Sequence, residues 1–284
     1  MTGAAEKFAV SVVMPALNEE TNIEKAILET LAAFKTLSIH GEIVLMNDGS
    51  RDRTGEIGEA LARKFPNIRV IHHSAPKGIG GSFWEGAHAA QGDVVLLLPG
   101  DGECVPEDSL RYMPLLNEVD IVIPFIYNVG VRDRSRRWIS RLYKAVINLS
   151  FALLLNYMNG TVVYRRSVLL TLDLQSRGFF YQTELLIKAI RRGYLYAEVP
   201  CALGVRGAGR SSALTWRSFF KLSRDYLRTM KSVYFANPRI QYSYIDQSMT
   251  ARRYEQIGGG PRTKNEIRNR PSGSLLENHP HSPS

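Results

Sequence analysis

The sequence contains few of the features that mark a secreted or a membrane-spanning protein. Its 284 residues include two cysteines, Cys104 and Cys201, which are too few for a disulfide framework and lack the spacing of a metal site. The longest apolar run, 146–155, is interrupted by Asn148 and Ser150, whereas a spanning helix needs about 20 apolar residues. No basic stretch followed by an apolar run opens the chain, as it would in a secretory signal. We therefore expect a reducing, cytoplasmic location and no transmembrane segment.

Acidic residues are also in deficit, since 36 Lys and Arg face 27 Asp and Glu, for a formal net charge of +9. A basic surface suits phosphate-rich ligands, anionic membranes or nucleic acid, and charge alone does not choose among them or exclude an ordinary soluble surface. Hydrophobic residues make up 44% of the chain, enough for a substantial core.

The distribution of apolar residues predicts an α/β fold. Buried strands are predicted at 8–14, 42–46, 68–71, 94–98, 121–125, 162–164 and 196–199, and helices at 19–37, 54–64, 81–90, 138–155, 184–192 and 214–235. Strands that alternate with helices indicate a mixed, mainly parallel, Rossmann-like sheet with helices on both faces. We expect one domain over 1–213, an amphipathic helix over 214–236 that packs on the domain or on a membrane, and a disordered polar tail over 237–284.

Three polar loops follow predicted strands, at 15–20, 47–54 and 99–103. Each alone could be a turn that caps a helix. Ligands of open α/β sheets bind beyond the carboxyl ends of the strands, so the three loops are expected to converge on one site.

Together these loops resemble motifs of the inverting family 2 glycosyltransferases, which have the GT-A fold. The likeness covers about 8–235. The family's Pro-x-x-Asn-Glu, Asp-Asp-Gly-Ser-x-Asp-x-Thr, Lys-x-Gly-x-Gly and Gly-Asp motifs correspond to Pro15–Glu19, Asn47–Thr54, Lys77–Gly81 and Gly92–Asp93. The branch that uses polyprenyl phosphates is the most similar, through Glu184–Ala189, Glu198–Pro200, and the set Arg206, Gly209 and Ser211.

The resemblance implies a nucleotide-sugar donor, GDP-mannose or a UDP-hexose, and a divalent cation, Mg²⁺ or Mn²⁺. Such a cation is held by a few carboxylates and neutralises the leaving diphosphate. Asp101 is the first choice of metal ligand and Glu103 the second, although Pro99 replaces the first acid of the usual Asp-x-Asp. The implied donor-binding residues are Pro15, Asn18, Glu19, Asp48, Lys77, Gly100 and Asp101, with Asp48 accepting hydrogen bonds from the base or the ribose.

Two further residues are implied to act in catalysis with Asp101. Arg206 would contact the diphosphate, where a guanidinium can bind two oxygens. Glu184 has three interpretations: a general base, a group that orients Arg206, or a carboxylate favoured at a helix start.

The implied acceptor is a lipid phosphate, which needs cations to hold it rather than a base, because its second pKa is near 6. By resemblance, Arg136, Ser140 and Ser211 contact the acceptor phosphate, and five arginines occur in 132–141. The alternative is a solvated basic loop. The predicted reaction transfers a hexose to a polyprenyl phosphate with inversion, with no nucleic-acid partner. A saccharide or surface-polymer acceptor, or a non-catalytic nucleotide-sugar-binding subunit, are the other hypotheses.

The helix predicted at 214–235 carries two different faces. Its basic stripe comprises Arg217, Lys221, Arg224, Arg228 and Lys231, and aromatic and aliphatic residues cover the other side. This pattern is typical of a helix that lies on an anionic membrane surface, and the helix near 138–158 is a second candidate. An ordinary helix packed on the domain is the alternative.

The histidines, including His72 and His73, lack metal-ligand spacing and are expected to be structural.

Overall fold

The computed structural model describes residues 9–127, 134–201, 216–235 and 244–257. The strands are β1 (Val10–Ala16), β2 (Gly41–Asn47), β3 (Ile68–His72), β4 (Val94–Leu97), β5 (Ile121–Ile126), β6 (Val163–Arg165) and β7 (Tyr196–Cys201). The helices are α1 (Ile23–Thr36), α2 (Thr54–Lys64), α3 (Ile79–Ala89), α4 (Pro106–Leu110), α5 (Arg134–Phe151), α6 (Arg166–Leu169), α7 (Tyr181–Arg191), α8 (Trp216–Tyr234) and α9 (Met249–Gln256), with a 3₁₀ turn at Met113–Asn117.

The strands form one mixed sheet in the order β3-β2-β1-β4-β6-β5-β7. β6 is antiparallel to both of its neighbours, and every other pairing is parallel. Reversing direction twice across β6 makes β5 and β7 parallel to β1. The carboxyl ends of β1, β2, β3, β4, β5 and β7 therefore share one edge, which we call the carboxyl edge.

Helices cover both faces of the sheet because its central strands are apolar on both sides. Val13, Val44 and Met46 point into a cluster shared with α3, α5, α6 and α7. Val12 and Ile43 point into a second cluster with α1, α2 and α4. Strands buried on both faces explain the continuous apolar runs seen in the sequence. No helix in the described segments is long and apolar enough to cross a bilayer.

Helix α8 packs on the first of these clusters through Leu222, Tyr226, Met230 and Val233. Its contact with α5 is specific: the Ser150 and Tyr226 hydroxyls lie 2.7 Å apart, and the Tyr226 ring meets Phe151 edge-on with centroids 5.8 Å apart. The prediction of a helix packed on the domain thus describes one side of α8.

The predicted disorder of 237–284 is wrong for residues 244–257. Ser248 caps α9 by accepting a hydrogen bond from the Ala251 N–H at 3.1 Å. The buried Asp120 carboxylate accepts the N–H groups of Met249 and Thr250 at 2.7 and 3.1 Å. A carboxylate at a helix start satisfies free N–H groups and is stabilised by the helix dipole. The partner that orders this polar segment lies 129 residues earlier in the chain.

Candidate active site

Two of the three predicted loops attach directly to the end of β1. The Asp48 N–H donates to the Ala16 carbonyl at 2.9 Å, and the Gly100 N–H donates to the Pro15 carbonyl at 3.0 Å. Because β2 and β4 flank β1, and neighbouring strands are about 4.8 Å apart, the loops that carry Asp48 and Asp101 begin about 10 Å apart. The expected convergence at one sheet edge is therefore present in the fold.

Hydrogen bonds tie the first loop to the second. The Asn18 N–H donates to Ser50 Oγ at 3.0 Å, and Asn18 Oδ1 accepts the Arg51 N–H at 2.9 Å. The Glu19 N–H donates to Thr54 Oγ1 at 2.8 Å. Asn18 has a φ of 56°, a left-handed conformation that asparagine tolerates better than most residues. These predicted donor-site residues hold the two loops in one fixed shape.

Asp48 is directed into the protein and accepts hydrogen bonds there from protein groups, and its predicted hydrogen bonds with a bound nucleoside stay a prediction. It is 4% exposed. Its Oδ1 accepts the His73 ring N–H at 2.7 Å and the Lys77 N–H at 2.8 Å, and its Oδ2 accepts the Gly78 N–H at 2.9 Å. Burial alone would raise the pKa of this carboxyl, but these donors outweigh it and the pKa lies below its ordinary value. An ionised Asp48 shapes the following glycine loop.

The glycine loop is the segment 77–81, and two contacts hold it in place. Gly78 has a φ of +83°, and a Cβ there would lie 2.6 Å from the Arg177 carbonyl oxygen. The Gly80 N–H donates to that same carbonyl at 2.9 Å. The Lys77 ammonium is 2.7 and 2.8 Å from the two Glu85 oxygens. Lys77, a predicted donor-site residue, therefore forms an ion pair with Glu85 of α3.

His73, which was expected to be structural, lies between two carboxylates next to the predicted donor-site residues Asp48 and Lys77. Its side chain is 2% exposed, with Nδ1 2.7 Å from Asp48 Oδ1 and Nε2 3.0 Å from Glu85 Oε2. Its place just after β3, on the carboxyl edge, is the signal that could have indicated this. The carboxylate on α3 could not be inferred from local sequence.

The loop after β4 presents Asp101 and Glu103. Asp101 Oδ1 accepts the Glu103 N–H at 3.0 Å, and the Glu103 side chain is exposed. Gly100 allows this loop to pass close to α1 and to the end of β1, since a Cβ there would lie 2.8 Å from Ile23 Cδ1 and 3.0 Å from Ala16 Cβ. Burial, and then the charges of Asp101, Cys201 and Glu103, raise the pKa of the Cys104 thiol to about 12, so that thiol is neutral.

These two carboxylates fit a cation that is held jointly with a ligand. In the described segments no group of three or more His, Cys, Asp or Glu could hold a metal by itself. Mg²⁺ in phosphate sites is usually bound by one or two carboxylates together with substrate phosphates. Asp101 and Glu103 match that set of oxygen ligands.

Glu184 is not placed to act as a general base, which corrects one of its predicted roles. It is 1% exposed. Its Oε1 accepts the Lys188 ammonium at 2.6 Å and the Gln175 N–H at 3.1 Å, and its Oε2 accepts the Ser176 N–H at 2.8 Å. Glu184 lies in the first turn of α7, where a carboxylate is favoured. Glu184 thus holds residues 175 and 176, and Arg177, the residue that follows them, contacts the glycine loop.

A basic cavity of about 250 Å³ opens at the end of β5. Its lining residues are Phe125, Ile126, Arg137, Ser140, Arg141, Tyr143, Lys144, Asn156, Tyr157, Met158 and Asn159. Only β6 separates β5 from β4, so the cavity begins about 10 Å from the Asp101 loop. Burial, partly offset by a hydrogen bond with Thr183, raises the pKa of Tyr143 to about 12, so this lining hydroxyl stays neutral.

The predicted acceptor residues are only partly visible around this cavity. Ser140 lines it, and its contact with an acceptor phosphate stays a prediction. Arg136 belongs to α5, but its side chain lies outside the described residues, as do Arg206 and Ser211. The basic residues seen in the lining are Arg137 and Arg141, which belong to the arginine-rich segment 132–141 expected to supply cations for the phosphate, and Lys144, which was not predicted to contact the acceptor.

The outer sides of α5 and α8 expose large apolar residues beside basic ones. On α5, Trp138 is 69% exposed and Leu149 85%, with Ile139, Leu142 and Val146 also exposed. Among the α8 side chains that the structure describes, the exposed apolar ones include Phe220, Leu227 and Tyr234. The exposed basic side chains in the described parts of the two helices are Arg141 on α5 and Lys221, Arg224, Arg228 and Lys231 on α8. These exposed apolar residues of α8 thus share one surface with its basic residues, whereas Tyr226, Met230 and Val233 of the predicted apolar side pack on the domain.

Residues 11–172, more than half of the chain, match the model of the family described as glycosyl transferase family 2. The chain belongs to this family. Among its relatives, a dolichol-phosphate mannosyltransferase of Pyrococcus furiosus is 29% identical over 78% of this chain, and an undecaprenyl-phosphate mannosyltransferase of Micrococcus luteus is 26% identical over 71%. The chain spans 64% of the length of the first relative and 86% of the second.

The fold also matches a solved structure. Glucosyl-3-phosphoglycerate synthase from Mycobacterium tuberculosis, in complex with Mn²⁺, UDP and glucosyl-3-phosphoglycerate, superimposes with a TM-score of 0.59 at 23% identity, covering 80% of each chain. The predicted GT-A architecture, a mixed and mostly parallel sheet with helices on both faces, is thereby confirmed.

Proposed function

We propose that this family 2 member transfers a hexose from a nucleotide sugar to a polyprenyl phosphate, with inversion of the anomeric carbon. The observation that carries the proposal is the basic cavity at the end of β5. It shares the carboxyl edge with the Asp101 loop and lies beside the exposed apolar residues of α5. The names of the Pyrococcus and Micrococcus relatives, both lipid-phosphate mannosyltransferases, support the same acceptor class.

On the donor side, the residues at the end of β4 would hold the diphosphate. Asp101 and Glu103 would bind Mg²⁺ or Mn²⁺ jointly with the phosphate oxygens. When bound, the cation offsets the negative charge that develops on the leaving nucleoside diphosphate. The joined loops at 15–20 and 47–54 would form the nucleoside pocket, and the glycine loop would approach the donor with its backbone. The donor is GDP-mannose or a UDP-hexose in this proposal.

On the acceptor side, Arg137, Arg141 and Lys144 would hold a phosphate monoester in the cavity. A phosphate carries between one and two negative charges near pH 7, so its oxygen is a nucleophile without further deprotonation. The burial of Glu184 agrees with a reaction that needs no carboxylate base. Direct attack by a phosphate oxygen on the anomeric carbon, opposite the leaving diphosphate, inverts that carbon.

The polyprenyl chain would lie outside the cavity, along the apolar residues exposed on α5. A helix surface that combines tryptophan and leucine with arginine and lysine binds the interface of an anionic membrane. Trp138, Leu142 and Leu149 would enter the bilayer surface while Arg141 and the basic residues of α8 meet lipid headgroups. The protein would then act as a peripheral membrane enzyme on the cytoplasmic face.

The reaction can be tested in vesicles that contain polyprenyl phosphate, with GDP-mannose and UDP-hexoses carrying a radiolabelled sugar. We expect label in the lipid phase, and Lys144→Ala should lower the transfer rate at least tenfold. Lys25→Ala, on the exposed surface of α1, is the matched control. Label that stays in the aqueous phase with every donor would exclude the lipid acceptor. Transfer to a soluble saccharide would support the alternative hypothesis of a saccharide acceptor.

The metal proposal has its own test. Binding of GDP and UDP is measured by calorimetry with Mn²⁺ and with EDTA. Asp101→Asn should weaken binding at least tenfold in Mn²⁺ and leave binding in EDTA unchanged. Equal losses in both conditions would count against Asp101 as a metal ligand.

The membrane proposal is tested by sedimentation with anionic vesicles. Leu149→Glu should reduce the bound fraction because it places a charge in the apolar surface. Leu28→Glu, at an exposed leucine of α1, is the matched control. An equal effect of both substitutions would refute the assignment of the surface on α5.

A further inference from the structure

A cluster of charged and titratable groups, His73, Asp48, Glu85 and Lys77, adjoins the glycine loop. His73 faces a carboxylate on each ring nitrogen, Asp48 at 2.7 Å and Glu85 at 3.0 Å. Hydrogen bonds to His73, Lys77 and Gly78 lower the pKa of Asp48 against the effect of burial, and the ion pair with Lys77 lowers that of Glu85. Both partners are therefore ionised at neutral pH and can only accept hydrogen bonds.

A neutral imidazole has one N–H and one lone pair, so it would direct a lone pair at one of the two carboxylates. The imidazolium has two N–H groups and satisfies both. The charged groups of the cluster are Asp48, Glu85, Lys77 and His73. They sum to zero with a protonated His73 and to minus one with a neutral ring.

The cluster is also hydrogen-bonded to the glycine loop, which would approach the donor in the proposed function. Asp48 accepts the N–H groups of Lys77 and Gly78, and Glu85 accepts the Lys77 side chain. His73 joins these two carboxylates, one beyond β2 and the other on α3. The backbone N–H of His73 donates to the Asn47 carbonyl at 2.9 Å, and this hydrogen bond fixes the residue beside the end of β2.

We propose that His73 is a positioning residue that works as a buried imidazolium: it holds Asp48 and Glu85 so that the glycine loop keeps the shape that binds the nucleoside diphosphate of the donor. This inference rests on the proposed function, because it takes the glycine loop to be part of the donor site. His73 acts through Asp48 and the loop, and it touches no reacting atom.

Two substitutions separate the two hydrogen bonds of the ring. His73→Asn retains an N–H near the position of Nδ1, toward Asp48, whereas His73→Gln retains one near Nε2, toward Glu85. We expect His73→Gln to weaken GDP or UDP binding about tenfold and to raise KM for the donor, with kcat at saturating donor nearly unchanged. His73→Asn should recover most of that loss. His88→Gln, at an exposed histidine of the same helix as Glu85, is the control.

A measurement without any ligand distinguishes a failure of this inference from a failure of the proposed function. The ¹⁵N chemical shifts of the His73 ring at pH 7 distinguish an imidazolium from a neutral ring, and amide exchange at Lys77 and Gly78 reports on the loop. We expect an imidazolium, with faster exchange in His73→Gln than in His73→Asn. A neutral ring, or exchange and donor affinity equal in all variants, would overturn the inference. Failure of the wild type to bind any nucleoside diphosphate would instead reject the proposed function.

Discussion

Replacing Glu184 distinguishes a structural from a catalytic carboxylate more sharply than any other single change in this protein. Its oxygens accept three hydrogen bonds inside the protein, including one from the Lys188 ammonium, which is itself 5% exposed. Removing one partner of a buried ion pair costs about 3–5 kcal/mol when the other charge is left uncompensated. Lys188 keeps the Asp173 carboxylate at 2.9 Å, so we expect Glu184→Ala, which also deprives the Gln175 and Ser176 N–H groups of their acceptor, to cost about 3 kcal/mol.

Glu184→Gln is the more informative variant because it keeps the shape of the side chain. The amide retains one acceptor oxygen but turns its NH₂ group toward a donor, which leaves that donor unsatisfied. We expect a loss of about 1–3 kcal/mol in the free energy of unfolding. The exposed Lys25–Glu29 pair on α1 is the matched control, and Glu29→Gln should cost less than about 0.5 kcal/mol.

Urea unfolding followed by circular dichroism measures these differences, and a double-variant cycle with Lys188→Met isolates the ion pair. The two substitutions should be coupled by at least about 1 kcal/mol, since they remove the same contact. We also expect Glu184→Gln to lower donor affinity a few-fold. Glu184 holds the N–H groups of residues 175 and 176, and the Arg177 carbonyl that follows them accepts a hydrogen bond from the glycine loop. If Glu184→Gln left stability within about 0.5 kcal/mol of wild type while kcat fell about a hundredfold, the carboxylate would be a general base and our interpretation would be refuted.

Three further predictions concern the fold and the acid stability of the site. Asp120→Ala should cost about 3 kcal/mol in urea unfolding and accelerate amide exchange in the first turn of α9, because two N–H groups lose a charged acceptor; unchanged exchange would contradict this. The pKa values of Asp48 and Glu85 lie below their ordinary values of 3.8 and 4.5, so their stabilising effect is complete above about pH 4.5 and is lost as the pH falls through the lowered values. Unfolding titrations from pH 6 to pH 3 should show this loss, and Glu85→Gln should make it shallower. Gly86→Ala brings a Cβ to 2.4 Å from a valine methyl of β1 and should lower the melting temperature by overpacking, at a cost of about 1–3 kcal/mol, whereas Gly178→Ala, with no atom within 4 Å, should be neutral.

The metal and acceptor assignments illustrate what local sequence can and cannot indicate. Asp101 could be proposed as a ligand because it follows a predicted strand and because the surrounding motif resembles a family. The cations of the cavity at the end of β5 were harder to choose, because five arginines in 132–141 look alike in sequence. Arg137, Arg141 and Lys144 line the cavity because they lie on the side of α5 that turns toward β5, and the side chains of the other three arginines lie outside the described residues.

The alternation of apolar runs and turns was enough, by itself, to determine the class of fold, the existence of most strands and helices, and the edge at which the polar loops meet. Those features depend on local periodicity and on the rule that parallel strands end at one edge. The direction in which a given carboxylate points depends on partners far away in the chain: Asp48 on Lys77, 29 residues later, and Asp120 on Met249. Only the tertiary structure decides such pairings, because hydrogen bonds to buried carboxylates form between elements that the sheet and its helices bring together. For that reason we infer the roles of His73, Asp48 and Glu184 from the structure rather than from the sequence.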